Sequence, residues 1–290
     1  MCWVWPSAPD ITVMRNANRR DTLRPHGKER MMRVAEAEGL QPGANNAITT
    51  RIGAVALPLG VVLIAVSEVF HPSREDPMNF PAVFREYAHS NFWTTVHLGE
   101  YFGFLLLLGG LVALFYSIGA RRDVGAGIAP FGLAAAVTTA ASFTVLQAVD
   151  GVTLKYAVDN WVNAPAPQQT AAFAAAEVAR WSEIGMNSLS YFLAGLTLFI
   201  YGLAIAFGGV YPRLTGLMVA ISGAALMYDG AVVVAFRGFV PDIVKLLGLV
   251  LLAVWAFIMC VLMWRNSSQR RMASHESDPA KPTQQPAGTN

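Results

Sequence analysis

The sequence predicts an all-α fold: a polytopic integral membrane protein, a six-transmembrane-helix bundle with both termini in the cytoplasm. Three observations predict it. Only 14% of the 290 residues are charged against 54% hydrophobic, where a soluble chain carries about 25% charged. The charges gather near the two ends and in short connecting stretches, leaving six blocks long enough to cross a bilayer core of about 30 Å at 1.5 Å rise per residue. Lysine and arginine, finally, are divided unequally between the alternating connections.

The blocks follow in order. Ile52 to Phe70 carries one charge, Glu68, at its end. Tyr101 to Ala120 is uncharged and reaches back toward Trp93 if His97 and Glu100 are tolerated. Val124 to Val149 and Ile184 to Tyr211 have no charge, Leu214 to Phe236 has Asp229 alone, and Leu246 to Trp264 has none. One such block could be the core helix of a soluble protein, but six in succession exclude that. The cysteines, Cys2 and Cys260, are too few for a disulfide framework.

Orientation follows from the positive charges. One side holds fifteen: eight from Arg15 to Arg51, then Arg121, Arg122, Arg213, Arg265, Arg270, Arg271 and Lys281. The other holds six: Arg74, Arg85, Lys155, Arg180, Arg237 and Lys245. The excess assigns the termini to the cytoplasm. Residues 1–50 read as a basic, disordered arm, or as an over-extended start with Met31 or Met32 the true beginning; they lack the apolar run of a signal peptide. Residues 51–265 form the six-span domain, and 266–290 read as a disordered cytoplasmic tail.

The connections expected outside carry structure. Asn79 is placed to cap a helix starting near Pro81, and Phe80, Val83, Phe84 and Tyr87 then share one apolar face, as in a helix lying at the membrane surface. Ala171 to Glu183 runs on into span four. Trp93, Trp161 and Trp181 at one interface and Tyr211 and Trp264 at the other fit an aromatic belt. Gly127, Gly132, Gly216 and Gly223, with their alanine neighbours, fit close helix packing. A weak echo joins spans two–three to spans four–five: Tyr101-Phe102 and Tyr191-Phe192 on one arm of each hairpin, Asp150-Gly151 and Asp229-Gly230 on the other.

Ionisable groups inside a membrane cost roughly 2.5–3.5 kcal/mol each and therefore need a reason. Those present concentrate in the outer third. Glu68 and His71 end span one; His97 and Glu100 open span two, with Glu100 about 10 Å past Trp93 at helical rise. Asp150 ends span three, and Asp229 lies about 12 Å before Arg237 on span five. His97, Glu100, Asp150 and Asp229 are accordingly the pocket or ion-binding candidates. Glu68/His71 and His97/Glu100 are i, i+3 pairs in reversed order on antiparallel neighbours, so Glu68, His71, His97 and Glu100 are the candidate ligands of a divalent, Zn-like metal, with His89 a possible addition. Two other readings stay open: a structural network with Lys155, Arg180, Arg237 or Lys245, and a cation or proton pathway. Haem ligation by His71 and His97 is disfavoured at the rim, with no deeper histidine pair to carry electrons onward.

Sequence signatures of other chemistry are absent. The chain contains no phosphate-binding loop, dinucleotide-binding glycine pattern, His-Glu-x-x-His or Gly-x-Ser-x-Gly. Beyond the arm nothing favours nucleic acid. The expected partners are the lipid bilayer and a small solute or cation.

Three segments, His71 to Glu100, Asp150 to Lys155 and Pro212 to Gly216, give the chain its likeness to known sequences. On them it resembles bacterial multi-span membrane proteins of unknown function. That resemblance implies six spans in a bacterial plasma (inner) membrane and transfers no activity. The functional expectation is a membrane protein with an outward-facing polar pocket that binds or transports a small solute or ion. The alternatives are a membrane-embedded metal-dependent enzyme using the Glu/His pairs, and a structural or accessory subunit.

Overall fold

The computed structural model describes residues 42–119 and 121–276, with side chains for 47–119 and 121–269. Apart from Pro42, these belong to one compact unit. The expectations for the arm before residue 42, the start at Met31 and the tail after residue 276 lie outside the described residues.

The described chain is helical, with no strand among the described residues. Helix α1 is Pro42–Val69, α2 Phe80–His89 and α3 Trp93–Gly119. Helix α4, Val124–Ala148, passes through a π turn at Val149–Leu154 into α5, Lys155–Asn163. Helix α6 spans Gln169–Phe207. Helix α7, Arg213–Tyr228, meets a second π turn at Asp229–Val234 before the single turn α8, Ala235–Arg237, and α9 is Ile243–Glu276. Six stretches are long and apolar enough to cross a membrane: Ala47–Val69, Trp93–Gly119, Val124–Asn163, Ala166–Phe207, Arg213–Arg237 and Ile243–Gln269. The last helix thus continues past residue 265 to Glu276.

Contacts fix an up-and-down order. Gly53 and Gly60 of α1 meet Ala113 and Gly103 of α3, so these helices are antiparallel. Phe104 stacks on Phe143 of α4 at 4.4 Å. Thr139 and Ser142 of α4 bond to Thr197 and Ser190 of α6, each at 2.9 Å. Ser222 of α7 donates to the Gly248 carbonyl of α9 at 2.7 Å. Arg51 of α1 reaches Ser267 and Ser268 of α9 at 3.1 and 3.0 Å, closing the set and placing the start of α1 and residue 268 at one end.

The outside of the bundle is as apolar as its core. Along α1, Ile52, Val55, Leu59, Val62, Val66 and Val69 alternate at three and four residues and are all exposed. Leu247, Val250, Val254, Phe257, Val261 and Trp264 repeat the stripe on α9. Helices apolar on every face suit a hydrocarbon surround.

Small residues set the spacing between helices, with corrections in detail. Gly195 of α6 faces Gly223 of α7, and Gly202 faces Gly216, where an added Cβ would meet backbone at 2.5–2.7 Å. Gly132 packs on the Tyr201 ring, whereas a Cβ at Gly127 would meet nothing within 4 Å among the described residues.

Two further expectations change. The apolar stripe of α2 is buried against protein instead of lying in lipid: Phe84 meets Trp161 and Phe173 at 5.9 and 5.8 Å. The overlong α4–α5 and α6 stretches project far enough to cover it. Of the aromatic belt, Trp181 and Trp264 are exposed, but Trp93, Trp161 and Tyr211 are buried. The polar atoms of two of these have partners inside, since Trp93 Nε1 donates to the Asp150 carbonyl at 3.0 Å and the Tyr211 hydroxyl meets Ser117 at 2.5 Å.

At the Tyr211 end, Asp123 caps α4. Its carboxylate accepts from the Ala126 amide at 2.9 Å and, across the bundle, from the Gly209 amide at 3.0 Å. These bonds hold its pKa below the usual aspartate value. The stabilisation is therefore complete above the unfolded pKa of about 4 and is lost as pH falls through the lower folded value. Asp123→Ala is expected to cost about 1 kcal/mol near neutrality, with the difference from the parent shrinking in acid. Thermal unfolding of both proteins across pH checks this.

Candidate functional site

Five helices each contribute a stripe that is polar toward the Pro72 end and apolar toward the middle. On α1 and just beyond, Ile64, Glu68 and His71 follow helical spacing, and on α3 Glu100, Phe104 and Leu107 do the same. Helix α4 presents Phe143, Leu146 and Gln147, with Asp150 in its π turn. Helix α6 presents Arg180, Glu183, Asn187, Tyr191 and Ala194, and α9 Lys245, Leu249 and Leu252. Together they enclose a cavity of about 310 Å³, rimmed by Pro72, Ser73, Glu75 and Pro77. Its volume is at the lower end of the roughly 300–1,000 Å³ of small-molecule pockets.

The charges are mostly accounted for. Arg180, 2% exposed, holds Glu183 through Nη1 at 2.6 and 2.8 Å and donates to the Pro77 carbonyl at 3.0 Å. Its guanidinium also lies over the Tyr87 and Phe239 rings at 5.5 and 4.8 Å. Lys245 sits 3.7 Å from Asp229 and 4.0 Å over the Tyr191 ring. His97 Nδ1 faces the Trp93 carbonyl at 2.7 Å and Nε2 faces Asp150 Oδ2 at 3.1 Å. Both ring nitrogens thus face oxygens, although Nε2 is not aligned for a hydrogen bond. Glu68 and Glu100 have no ion pair among the described residues. Glu100 is buried; Gln147 Nε2 donates to its Oε2 at 3.3 Å, and its Oε1 has no partner among the described residues.

All four pocket candidates, His97, Glu100, Asp150 and Asp229, are buried, but they divide. Glu100 and Asp150 line the cavity. His97 stands behind Asp150 and lines a smaller cavity of about 210 Å³ with Tyr101 and Thr144. Asp229 reaches the main cavity only through Lys245. Of the metal candidates, Glu68, His71 and Glu100 line the main cavity, and the His71 and His97 rings lie 5.3 Å apart. Among the described residues, no three His, Cys, Asp or Glu side chains are grouped as a metal would need. His71 is turned to its own neighbour, Nδ1 meeting the Pro72 carbonyl at 3.0 Å. Burial, aided by nearby His97, pushes its imidazole below the usual histidine range. His89 lies in α2 with Nδ1 on the Arg85 carbonyl at 2.6 Å, outside the cavity lining.

Both Asp-Gly pairs fall in the two π turns. A π turn skips a regular helical bond and recurs at functional sites. Each has a carbonyl served from another helix: Trp93 of α3 bonds to Asp150, and Ser188 of α6 bonds to Gly230 at 2.8 Å. Gly151 admits the His97 side chain, and Gly230 the α6 backbone. The echo thus marks two places where α4 and α7 open beside the cavity's polar end.

Reading only the ionisable groups inside the apolar blocks missed Gln147, Asn187 and Tyr191 and left Arg180 as a mere pairing candidate. The signal was present: Arg180, Glu183, Asn187, Tyr191 and Ala194 recur at three or four residues, one face of a helix. Compared with protein-family models, curated proteins and solved structures, the chain matches none.

Proposed function

We propose that the protein spans a bacterial plasma membrane six times, termini in the cytoplasm, and binds a small solute or ion in a cavity opening to the outer face. The observation that carries the reading is the cavity itself, with charged groups at its rim, apolar side chains at its floor and, on its wall, the Glu100 carboxylate, which has no ion pair among the described residues. The positive-charge excess supports the orientation, and the six stretches long and apolar enough to cross a bilayer support the membrane.

Cysteine labelling tests it, after replacing Cys2 and Cys260. Asn91→Cys is expected to react with an impermeant thiol reagent in intact cells, and Arg122→Cys only after permeabilisation; both positions are exposed. Ala194→Cys, on the cavity wall, is expected to react from outside, while Ala204→Cys, 0% exposed, stays unreactive. The reverse labelling at positions 91 and 122 would overturn the orientation, and an inert cysteine at 194 would overturn the outward opening.

A metal-dependent enzyme is the second reading, supported by Glu68, His71 and Glu100 on one cavity with His97 close by. Against it, both His97 nitrogens already face oxygens. Stoichiometric zinc in the purified protein, lost in Glu100→Gln, would favour it over the solute site.

A further inference from the structure

Resting on the solute-site reading, we infer that the cavity takes an amphiphilic cation: a head carrying N–H donors seated against Glu100, with an apolar chain lying along Phe104, Leu107 and Leu249. Several oxygens on residues lining the cavity lack a hydrogen-bond partner. Among the described residues, Glu100 Oε1, Gln147 Oε1, Asp150 Oδ1 and Asn187 Oδ1 are buried without a partner, as is the donor Arg180 Nε. A buried polar group left unpaired is costly; a ligand with several N–H groups satisfies several of these oxygens together.

Charge points the same way. Of the cations on the lining, Arg180 is bonded to Glu183, and Lys245 lies 3.7 Å from Asp229. Asp150 faces His97. Glu100 and Glu68 remain without an ion pair among the described residues, and Glu100 is 8% exposed. An anionic ligand would meet these carboxylates, while Arg180 and Lys245, the cations among the described lining residues, each already lie beside a carboxylate. An inorganic cation would leave the apolar floor unused. From Glu100 to Leu107 the floor runs about 10 Å at helical rise, enough for a medium alkyl chain.

The test uses the full chain in phosphatidylcholine nanodiscs, with empty nanodiscs as the background for partitioning. Octylammonium is expected to bind saturably, one per chain. Octyltrimethylammonium, equally charged but without N–H donors, and methylammonium, without the chain, are each expected to compete at least tenfold more weakly, and octanoate not at all. Glu100→Gln is expected to weaken octylammonium at least tenfold, the loss of a hydrogen bond to a charged group. Ala194→Leu, which fills part of the floor without touching the polar groups, is expected to weaken octylammonium more than butylammonium, and covers the case in which Glu100→Gln fails to fold. Equal binding of octyltrimethylammonium, or octylammonium binding unchanged in Glu100→Gln, overturns the assignment of the head group. Saturable binding of octanoate or octanol without octylammonium overturns the cation while leaving a solute site. Absence of saturable binding by all of these overturns both.

Discussion

Arg180→Met is expected to cost about 3–5 kcal/mol, the penalty for leaving the partner of a buried ion pair uncompensated. Arg180 and Glu183 are 2% and 4% exposed and lie one helical turn apart on α6, so the stranded Glu183 carboxylate stays largely desolvated. The same guanidinium ties Pro77 to the bundle and lies over Tyr87 and Phe239, so the segment between α1 and α2 loosens with it. Removing both charges behaves differently, because a buried pair replaced by apolar groups of similar size is often neutral or stabilising. Arg180→Met combined with Glu183→Leu is therefore expected to recover most of the loss. Thermal unfolding of the two variants in detergent decides it. If the double variant is as damaged as the single one, Arg180 holds the fold through its contacts with Pro77, Tyr87 and Phe239, and charge compensation is secondary.

That pair also shows where the sequence could be read and where it could not. The six apolar helices were legible because a long uncharged block has few other uses, and Glu68, Glu100 and Asp150 were legible because charge in such a block is costly. Their partners were not. His97 and Asp150 are far apart in sequence yet meet at 3.1 Å, which depends on the register between α3 and α4 and on the π turn that swings Asp150 inward. Asp229 looked like part of the same pocket from its depth alone, but depth does not say which way a side chain faces; it points to Lys245 of α9. The Trp and Tyr residues misled for a related reason. An aromatic ring with a polar edge suits a membrane interface and suits equally a buried site with one acceptor, which is where Trp93 sits. The amides Gln147 and Asn187 carry no charge, so cost gave no hint of them, and only the helical spacing with Glu183 and Asp150 would have found them.

Gly223→Ala is expected to be among the most damaging substitutions of an otherwise helix-favouring kind. In an isolated helix alanine is better than glycine by about 0.8–1.0 kcal/mol, so the change would stabilise if only α7 were concerned. Here a Cβ at 223 would stand 2.5 Å from the Gly195 carbonyl oxygen and 2.5 Å from the Phe199 amide nitrogen, both backbone atoms of α6. Backbone cannot turn away as a side chain can, so α6 and α7 must separate. That movement would strain the nearby Gly202–Gly216 and Ser188–Gly230 contacts on the same seam. Overpacking of this kind costs about 1–3 kcal/mol, occasionally more, which outweighs the gain in helix propensity. Gly109→Ala is the control, because among the described residues nothing lies within 4 Å of a Cβ at 109 in α3; it should stabilise by up to about 1 kcal/mol. Thermal unfolding of the two variants in one detergent should show shifts of opposite sign. Shifts of the same sign would mean that α6 and α7 are not held at backbone contact. Because Ala194 on the cavity wall lies next to Gly195 on the seam, a folded Gly223→Ala protein should also bind octylammonium more weakly than the parent does.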